Sequence, residues 1–270
     1  MTDVLLRVEA LTVAAGAATL VGGISFTVGR EKLAIVGESG SGKSLTARAI
    51  IGLLPPGVRR TGGRIALGDR ILTTTGWQGV RGRRIGFVPQ DPKYALNPAH
   101  RIGRQVEEAL VLHSRLSAGE RRERALDMLH RVGFPDPQRA YRAYPGEVSG
   151  GMGQRAMIAA MVIAGPDLLI ADEPTSALDH ALRDQILDLL GGLTDDTGMG
   201  LVLISHDLRQ VARFADRVLV MQRGILVDRL DAGALAQAGH PYTRALWRAH
   251  PSAASYGTRL PEAIEETLQP

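Results

Sequence analysis

Gly37, Glu38, Ser39, Gly40, Ser41, Gly42, Lys43 and Ser44 form an eight-residue run with glycine at its first and sixth positions and Lys-Ser at its end. That is the pattern of a phosphate-binding loop, which lets successive backbone N–H groups face an anion. The start of a following helix adds a favourable dipole. Lys43 supplies a point charge for β- and γ-phosphates, and Ser44 offers a hydroxyl to Mg²⁺. Context separates such a loop from a merely flexible Gly/Ser segment. Here Leu33, Ala34, Ile35 and Val36 precede it as a buried-strand run, and residues 45–54 follow with a helical pattern.

A second apolar run, residues 168–171, ends in Asp172 and Glu173. Acids at the carboxyl end of a parallel strand lie at the crevice where such sheets bind ligands. Asp172 is suited to hold Mg²⁺, and Glu173 to polarise a water attacking a γ-phosphate. A strand ending in two acids is common by itself; beside a phosphate loop it points to hydrolysis. Ser149, Gly150 and Gly151 stand before an apolar segment expected to be helical over residues 157–163, so their hydroxyl and N–H groups predict a second anion site at a helix start. Two phosphate cradles with one loop lysine call for a further explanation.

The elements that must position these groups alternate. Short β-type runs hold Leu5, Val8, Leu11 and Val13, then residues 24–28 after the break at Gly22 and Gly23, and later residues 85–88. Residues 101–165 turn helical: Val106, Leu110 and His113 share one face, and Ser117 with Glu120 predicts a capping box. Strands at residues 168–171, 201–204 and 218–221 then alternate with helices at 179–193 and 207–214. This predicts an α/β fold, a mostly parallel sheet between helices, with a helical block inserted.

Composition excludes other classes. Lys and Arg total 32 against 28 Asp and Glu, a net charge of +4, with Lys32, Lys43 and Lys93 the only lysines. Such a balance is not the concentrated basic footprint of a nucleic-acid binder, and aromatics at 4% leave few stacking platforms. With no cysteine there is no disulfide scaffold, thiol nucleophile or Cys-held cluster. The longest apolar run, residues 156–165, stops at Pro166, short of the roughly 20 residues a membrane span needs. No signal peptide is read at the start. Residues 251–270 are expected to be a flexible tail, rich in Ser, Ala and Pro and then acidic.

Taken in order, these motifs make residues 4–248 resemble the ATP-binding subunits of ABC transporters. On that resemblance Gln90 corresponds to the Q-loop glutamine, Ser149, Gly150, Gly151, Met152 and Gln154 to the signature motif, Asp172 and Glu173 to Walker B with its catalytic glutamate, Asp179 to the D-loop and His206 to the switch histidine. The resemblance implies a P-loop NTPase fold: an N-terminal antiparallel β part, a parallel core sheet and an α-helical subdomain at about residues 95–165, within an ATP-binding domain of residues 1–250. It implies ATP and Mg²⁺ as ligands, with Ser44, Gln90 and Asp172 at the metal. Two such subunits would pair head to tail, which explains the second cradle: the signature motif of one covers the ATP on the other's phosphate loop. His206 would bridge the γ-phosphate, and Gln90 would pass the nucleotide state to the helical subdomain, which meets the membrane subunit.

Finer details, including Leu96-Asn97-Pro98 and the run from His240 to Leu246 (HPYTRAL), resemble the oligopeptide, dipeptide and nickel importers. Membership implies two permease subunits, a second and homologous ATPase subunit or a second copy of this one, an external substrate-binding protein, and a place on the cytoplasmic face of the bacterial inner membrane, with no nucleic acid involved. Many peptide-transporting members carry a C-terminal cysteine cluster for iron–sulfur; its absence predicts a nickel or metal-chelate cargo ahead of short peptides. The competing reading is a soluble ABC ATPase acting on nucleic acid or ribosomes. The span between Gly37 and Ser149 has no room for the long coiled coil of DNA-repair members, and a single cassette is unlike ribosome-acting ones.

One departure concerns the base. Many relatives stack an aromatic ring on adenine a little over twenty residues before the phosphate loop, where this chain has Ala15; Phe26 lies too close and reads as core. Losing such a stack removes about 0.5–1.5 kcal/mol. The isolated subunit is therefore expected to hold MgATP and MgGTP with affinities within about tenfold of each other. Titration calorimetry that shows tight ATP binding and marked rejection of GTP would contradict this.

Overall fold

The computed structural model describes residues 4–73, 76–176 and 178–249; the expected tail at residues 251–270 lies outside them. In chain order the elements are β1 (Leu6–Ala15), β2 (Ala18–Val28), β3 (Lys32–Val36), α1 (Lys43–Ile50), β4 (Val58–Leu67), β5 (Arg70–Ile71), β6 (Ile85–Val88), α2 (Pro92–Ala95), α3 (Ile102–His113), α4 (Ala118–Arg131), α5 (Pro137–Arg142), α6 (Gly150–Val162), β7 (Leu168–Asp172), α7 (His180–Thr197), β8 (Gly200–Ile204), α8 (Leu208–Phe214), β9 (Arg217–Gln222), β10 (Ile225–Asp231) and α9 (Pro241–Ala249). They form two compact units, one from the chain up to Thr73 and from Val202 onward, the other from Thr74–Leu201.

The first unit holds an antiparallel sheet in the order β2-β1-β4-β5. Leu6, Val8, Leu11 and Val13 bury their side chains from β1. The alternation slips where Ala10 takes φ 47, and the pairing register shifts on both flanks of that residue. The expected break at Gly22 and Gly23 is instead absorbed inside a continuous β2. β4 carries Arg59, Arg60, Gly62, Gly63 and Arg64 and shows no strand pattern in sequence; it is made a strand by pairing with β1. Against this sheet-forming part stands the parallel pair β3–β9, with Val36 opposite Val220, extended antiparallel by β10. Leu33, Ala34, Ile35 and Val36 are completely buried, and each large apolar side chain so placed contributes roughly 1.5–3 kcal/mol. That anchors the residue from which the phosphate loop departs.

α1 is shorter than the pattern over residues 45–54 suggested. It starts at Lys43 and stops at Ile50, because Gly52 turns at φ 64 and Pro55 and Pro56 follow.

In the second unit β6 pairs in parallel with β7, Ile85 facing Leu168 and Val88 facing Ala171. The helices α3, α4 and α6 pack around Val106, Leu110, Leu129, Met157 and Ile158, all buried. The Ser117 capping box forms as expected, with Glu120 N–H donating to Ser117 Oγ at 3.3 Å and Ser117 N–H to the Glu120 carboxylate at 2.7 Å. α7 runs beyond the expected Leu193 to Thr197. Gly191 and Gly192 do not end it, since Leu190, Leu193 and Thr194 are buried around them, and the stop falls at Gly198 with φ 64.

Candidate nucleotide-binding site

The phosphate loop leaves β3 at a point where only glycine fits. Gly37 has φ 151, and a Cβ there would lie 2.2 Å from the Met221 carbonyl oxygen. Gly42, at φ 100, packs on the Leu20 carbonyl and Val21 from β2. Gly224 N–H donates to the Ser41 carbonyl at 3.0 Å, so the β9–β10 turn also braces the loop. A Cβ added to Gly40, in contrast, would meet nothing within 4 Å.

Lys43 is 5% exposed. Its Nζ donates to the Gly37 carbonyl at 2.9 Å, the Glu38 carbonyl at 2.8 Å and Ser41 Oγ at 3.4 Å. These loop oxygens hold the buried ammonium at the centre of the loop. Ser39 is exposed, Ser44 is half-buried at the start of α1, and Thr46 Oγ1 donates back to the Gly42 carbonyl at 3.0 Å. A loop of curled glycines around a buried cation fits a polyphosphate.

His206 follows β8 in the same unit and is exposed. Ser205 N–H donates to the Ile35 carbonyl at 3.2 Å, so β8 ends level with β3. This puts His206 and the phosphate loop on one edge, although 169 positions separate Gly37 from His206 (206 − 37). Asp207 caps α8 through Gln210 N–H at 3.0 Å.

The second unit gathers the remaining residues. Because Val88 pairs with Ala171, Gln90 and the Asp172-Glu173 pair leave neighbouring strands at the same edge. Asp172 is 4% exposed and Gln90 is exposed. Glu173 has φ 49, an uncommon conformation for a residue with a long side chain. Its carbonyl accepts from Ser176 N–H at 3.2 Å and Ser176 Oγ at 3.1 Å, which holds the turn.

The signature residues open α6 rather than precede it. The helix expected at residues 157–163 begins at Gly150, with Ser149 as its N-cap accepting from Met152 N–H at 3.4 Å. Glycine is a poor helix former, so the sequence pattern showed the helix only where the glycines stop. Gly150 and Ser149 are exposed; a Cβ on Gly151 would sit 3.3 Å from Leu182 of α7. Gln154 is turned inward: it is 1% exposed and its Nε2 donates to the Pro174 carbonyl at 2.7 Å, tying the signature helix to the turn after Glu173. The sequence reading grouped it with nucleotide-facing residues; its side chain braces instead. Asp179 is the exposed N-cap of α7, accepting from Leu182 N–H at 3.0 Å.

Ala15 ends β1 opposite Ala18, on the hairpin that leads into Leu20 and Val21. Among the described residues no group of three or more His, Asp or Glu gathers as a metal cage. Mg²⁺ is ordinarily held by one or two side-chain oxygens with phosphates and water, and Ser44 and Asp172 are donors of that kind.

Two contributors went unread in the sequence. Met221 shapes the loop through a backbone carbonyl, which no side-chain pattern reveals. Tyr242 of α9 is fully buried, and its hydroxyl accepts from Glu38 N–H at 3.5 Å; its motif was visible but suggested no contact.

A strand, a glycine loop with a buried lysine, a helix, and paired acids closing a buried strand define a P-loop ATPase. The sequence profile of the family described as ABC transporter matches residues 21–176, and the chain belongs to that family. Among its relatives, the "Probable peptide ABC transporter ATP-binding protein y4tR" of Sinorhizobium fredii is 46% identical over 248 residues, 89% of this chain and 74% of that one. The oligopeptide transport ATP-binding protein OppD of Lactococcus lactis subsp. cremoris is 44% identical over 227 residues, 83% of this chain and 67% of that one. Among solved structures, cbiO1 from Clostridium perfringens, part of the transporter complex cbiONQ, superposes with TM-score 0.77 at 26% identity over 91% of this chain and 96% of its own. A dimeric structure of a post-hydrolysis state of the ATP-binding cassette MJ0796, bound to ADP and Pi, gives TM-score 0.73 at 28% identity over 84% of this chain and 99% of its own. The chain is thus an ATP-hydrolysing subunit that powers substrate uptake, and the reading as a nucleic-acid or ribosome ATPase is not favoured.

Burial pushes the Tyr242 hydroxyl up to about 12 from its ordinary 10.0; the bond from Glu38 N–H works against that rise and the Glu38 carboxylate charge adds to it. In the unfolded chain this phenol ionises near 10, in the folded chain only near 12. The stability it contributes is therefore complete below pH 10 and lost as pH climbs from about 10 to 12. Tyr242→Phe is expected to flatten that part of the denaturation-midpoint profile. Identical alkaline slopes for variant and wild type would show that Tyr242 is not the group responsible.

Proposed function

We propose that this subunit drives import of short peptides, working on the cytoplasmic face of the bacterial inner membrane with a permease pair, a second ATPase subunit and an external binding protein. Support for the cargo comes from the names of its relatives, which are given for peptide and oligopeptide transport. They favour peptides over the nickel or metal-chelate cargo expected from the missing cysteines. No helix among the described residues is long and apolar enough to cross a membrane.

The observation that carries the catalytic assignment is the Asp172–Glu173 corner: a buried acid, then a glutamate at φ 49. The loop N–H groups of residues 40–44 and Lys43 hold the β- and γ-phosphates, and Gly37, Glu38, Ser39 and Ser41 shape the cradle. Ser44, Asp172 and Gln90 would hold Mg²⁺, which when bound neutralises charge building on the phosphate oxygens. Glu173 orients the attacking water and accepts its proton. His206 holds the γ-phosphate. Ser149, Gly150, Gly151 and Met152, with Asp179, act across a subunit pair on the ATP of the partner.

Glu173→Gln is expected to cut phosphate release about 10²- to 10⁴-fold while MgATP still drives pairing in size-exclusion chromatography. Turnover at the wild-type rate would remove Glu173 from this role. Lys43→Ala should weaken MgATP binding by more than about tenfold; unaltered affinity would overturn the phosphate assignment.

Contact with the permease is assigned to the helical part of the second unit. Val111 and Leu112 are 55% and 69% exposed at the end of α3, an apolar pair left facing outward. Replacing both with Asp is expected to stop co-purification with the permease and abolish uptake, with the ATPase rate of the isolated subunit unchanged. Intact uptake in that variant would place the contact elsewhere.

A further inference from the structure

The run from His240 to Leu246 marks the transporter group yet has no part in the reaction described so far. In the structure it begins α9, and its burial is disproportionate: Tyr242 and Thr243 are both 0% exposed, with Ala245 and Leu246 at 4% and 6%. Buried hydroxyls need partners. Thr243 Oγ1 donates to Asp228 on β10 at 2.7 Å. Trp247 lies under the Arg209 guanidinium of α8, 4.0 Å from ring centroid to cation. Arg244 donates to the Ala238 and Gly239 carbonyls. The helix is thus held in place by contacts that do not involve the Tyr242 hydroxyl.

That hydroxyl meets the phosphate loop at Glu38, through both its side chain and its peptide N–H. The Glu38 N–H that donates to it, at 3.5 Å, belongs to the same planar unit as the Gly37 carbonyl, which accepts from Lys43 Nζ at 2.9 Å. The chain has no cis peptide among its described residues. In a trans peptide the N–H and C=O point to opposite sides of one rigid plane. Tyr242 therefore grips one edge of the plane whose other edge fixes the loop lysine. The plane is also packed against Met221, whose carbonyl leaves no space for a side chain at Gly37.

We propose that α9 is a strut for the phosphate loop, with Tyr242 as a positioning residue that sets the Gly37–Glu38 peptide plane and, through it, the Lys43 ammonium that receives ATP. The proposal rests on residues 37–44 being the ATP phosphate site. It makes the C-terminal helix part of the nucleotide-affinity machinery: a shift of α9 would be felt first as a change in how tightly MgATP is held, with the chemistry at Glu173 untouched.

Tyr242→Phe in the full chain keeps the buried ring and removes only the hydroxyl. Loss of the hydroxyl's bonds to Glu38 predicts an increase in the MgATP dissociation constant and KM of about threefold to tenfold, with kcat at saturation unchanged. Thr243→Val, which cuts the bond of the same helix to Asp228, serves as the structural comparison: it should lower the melting temperature and cost less MgATP affinity than Tyr242→Phe. Amide exchange in the nucleotide-free wild type gives a test without any variant, since Glu38 N–H should exchange more slowly than the N–H of exposed Gly40. Wild-type affinity in Tyr242→Phe, an equal loss of affinity in Thr243→Val, or Glu38 exchange as fast as that of Gly40 would each overturn the proposal. Those results combined with lost binding in Lys43→Ala would leave the phosphate-site reading standing; retained binding in Lys43→Ala would fell that reading itself.

Discussion

A positive charge inside a loop of backbone carbonyls is the condition on which the first unit is built. Removing an ammonium from water costs several kcal/mol unless its donors are met. The Gly37 and Glu38 carbonyls and Ser41 Oγ meet part of that demand for Lys43 from within its own loop. Holding three oxygens of one short loop around one nitrogen requires the loop to be rigid, and the surroundings are arranged accordingly. β3 is buried to its last residue, the Met221 carbonyl closes on Gly37, and Gly224 N–H clamps the Ser41 carbonyl. Tyr242 holds the outer edge of the same loop.

The second unit stores strain in the other half of the chemistry. Asp172 ends a completely buried strand, and Glu173 is forced to φ 49 by the turn that leaves it. A backbone in that region is sustained only when its surroundings over-determine it. Ser176 bonds back to the Glu173 carbonyl, and the buried Gln154 amide takes the Pro174 carbonyl. The signature helix is thereby tied to the acid corner of its own unit, while Ser149 and Gly150 at its start stay exposed. Side chains sharing one short motif divide in this way between bracing inward and facing outward.

Much of this was legible from residue order. The apolar run before Gly37, the glycine spacing, the acids closing residues 168–173 and the Ser117–Glu120 box each rest on local chemistry, and local chemistry survives translation into structure. What sequence patterns misread were places where tertiary pairing overrode local preference. β4 carries Arg59, Arg60, Gly62, Gly63 and Arg64 but is paired along β1. α6 begins on glycines because Ser149 caps it, and α7 passes through Gly191 and Gly192 because its flanking apolar residues are buried. The absent cysteines pointed towards a metal cargo, whereas the named relatives are peptide and oligopeptide transport proteins.

The sequence alone pointed to the chemistry: a glycine loop with its lysine and serine, then two acids closing an apolar strand, the pattern of ATP hydrolysis. Reaction type follows from which functional groups are present and in what local setting, and both are written in neighbouring residues. Only the tertiary structure decided how those groups are held. It brought Ser205 level with Ile35, aligned Val88 with Ala171, turned Gln154 inward, and set Tyr242 against Glu38 across 204 positions (242 − 38). Contacts of that range depend on how strands pair and helices pack, and no spacing within a motif records them.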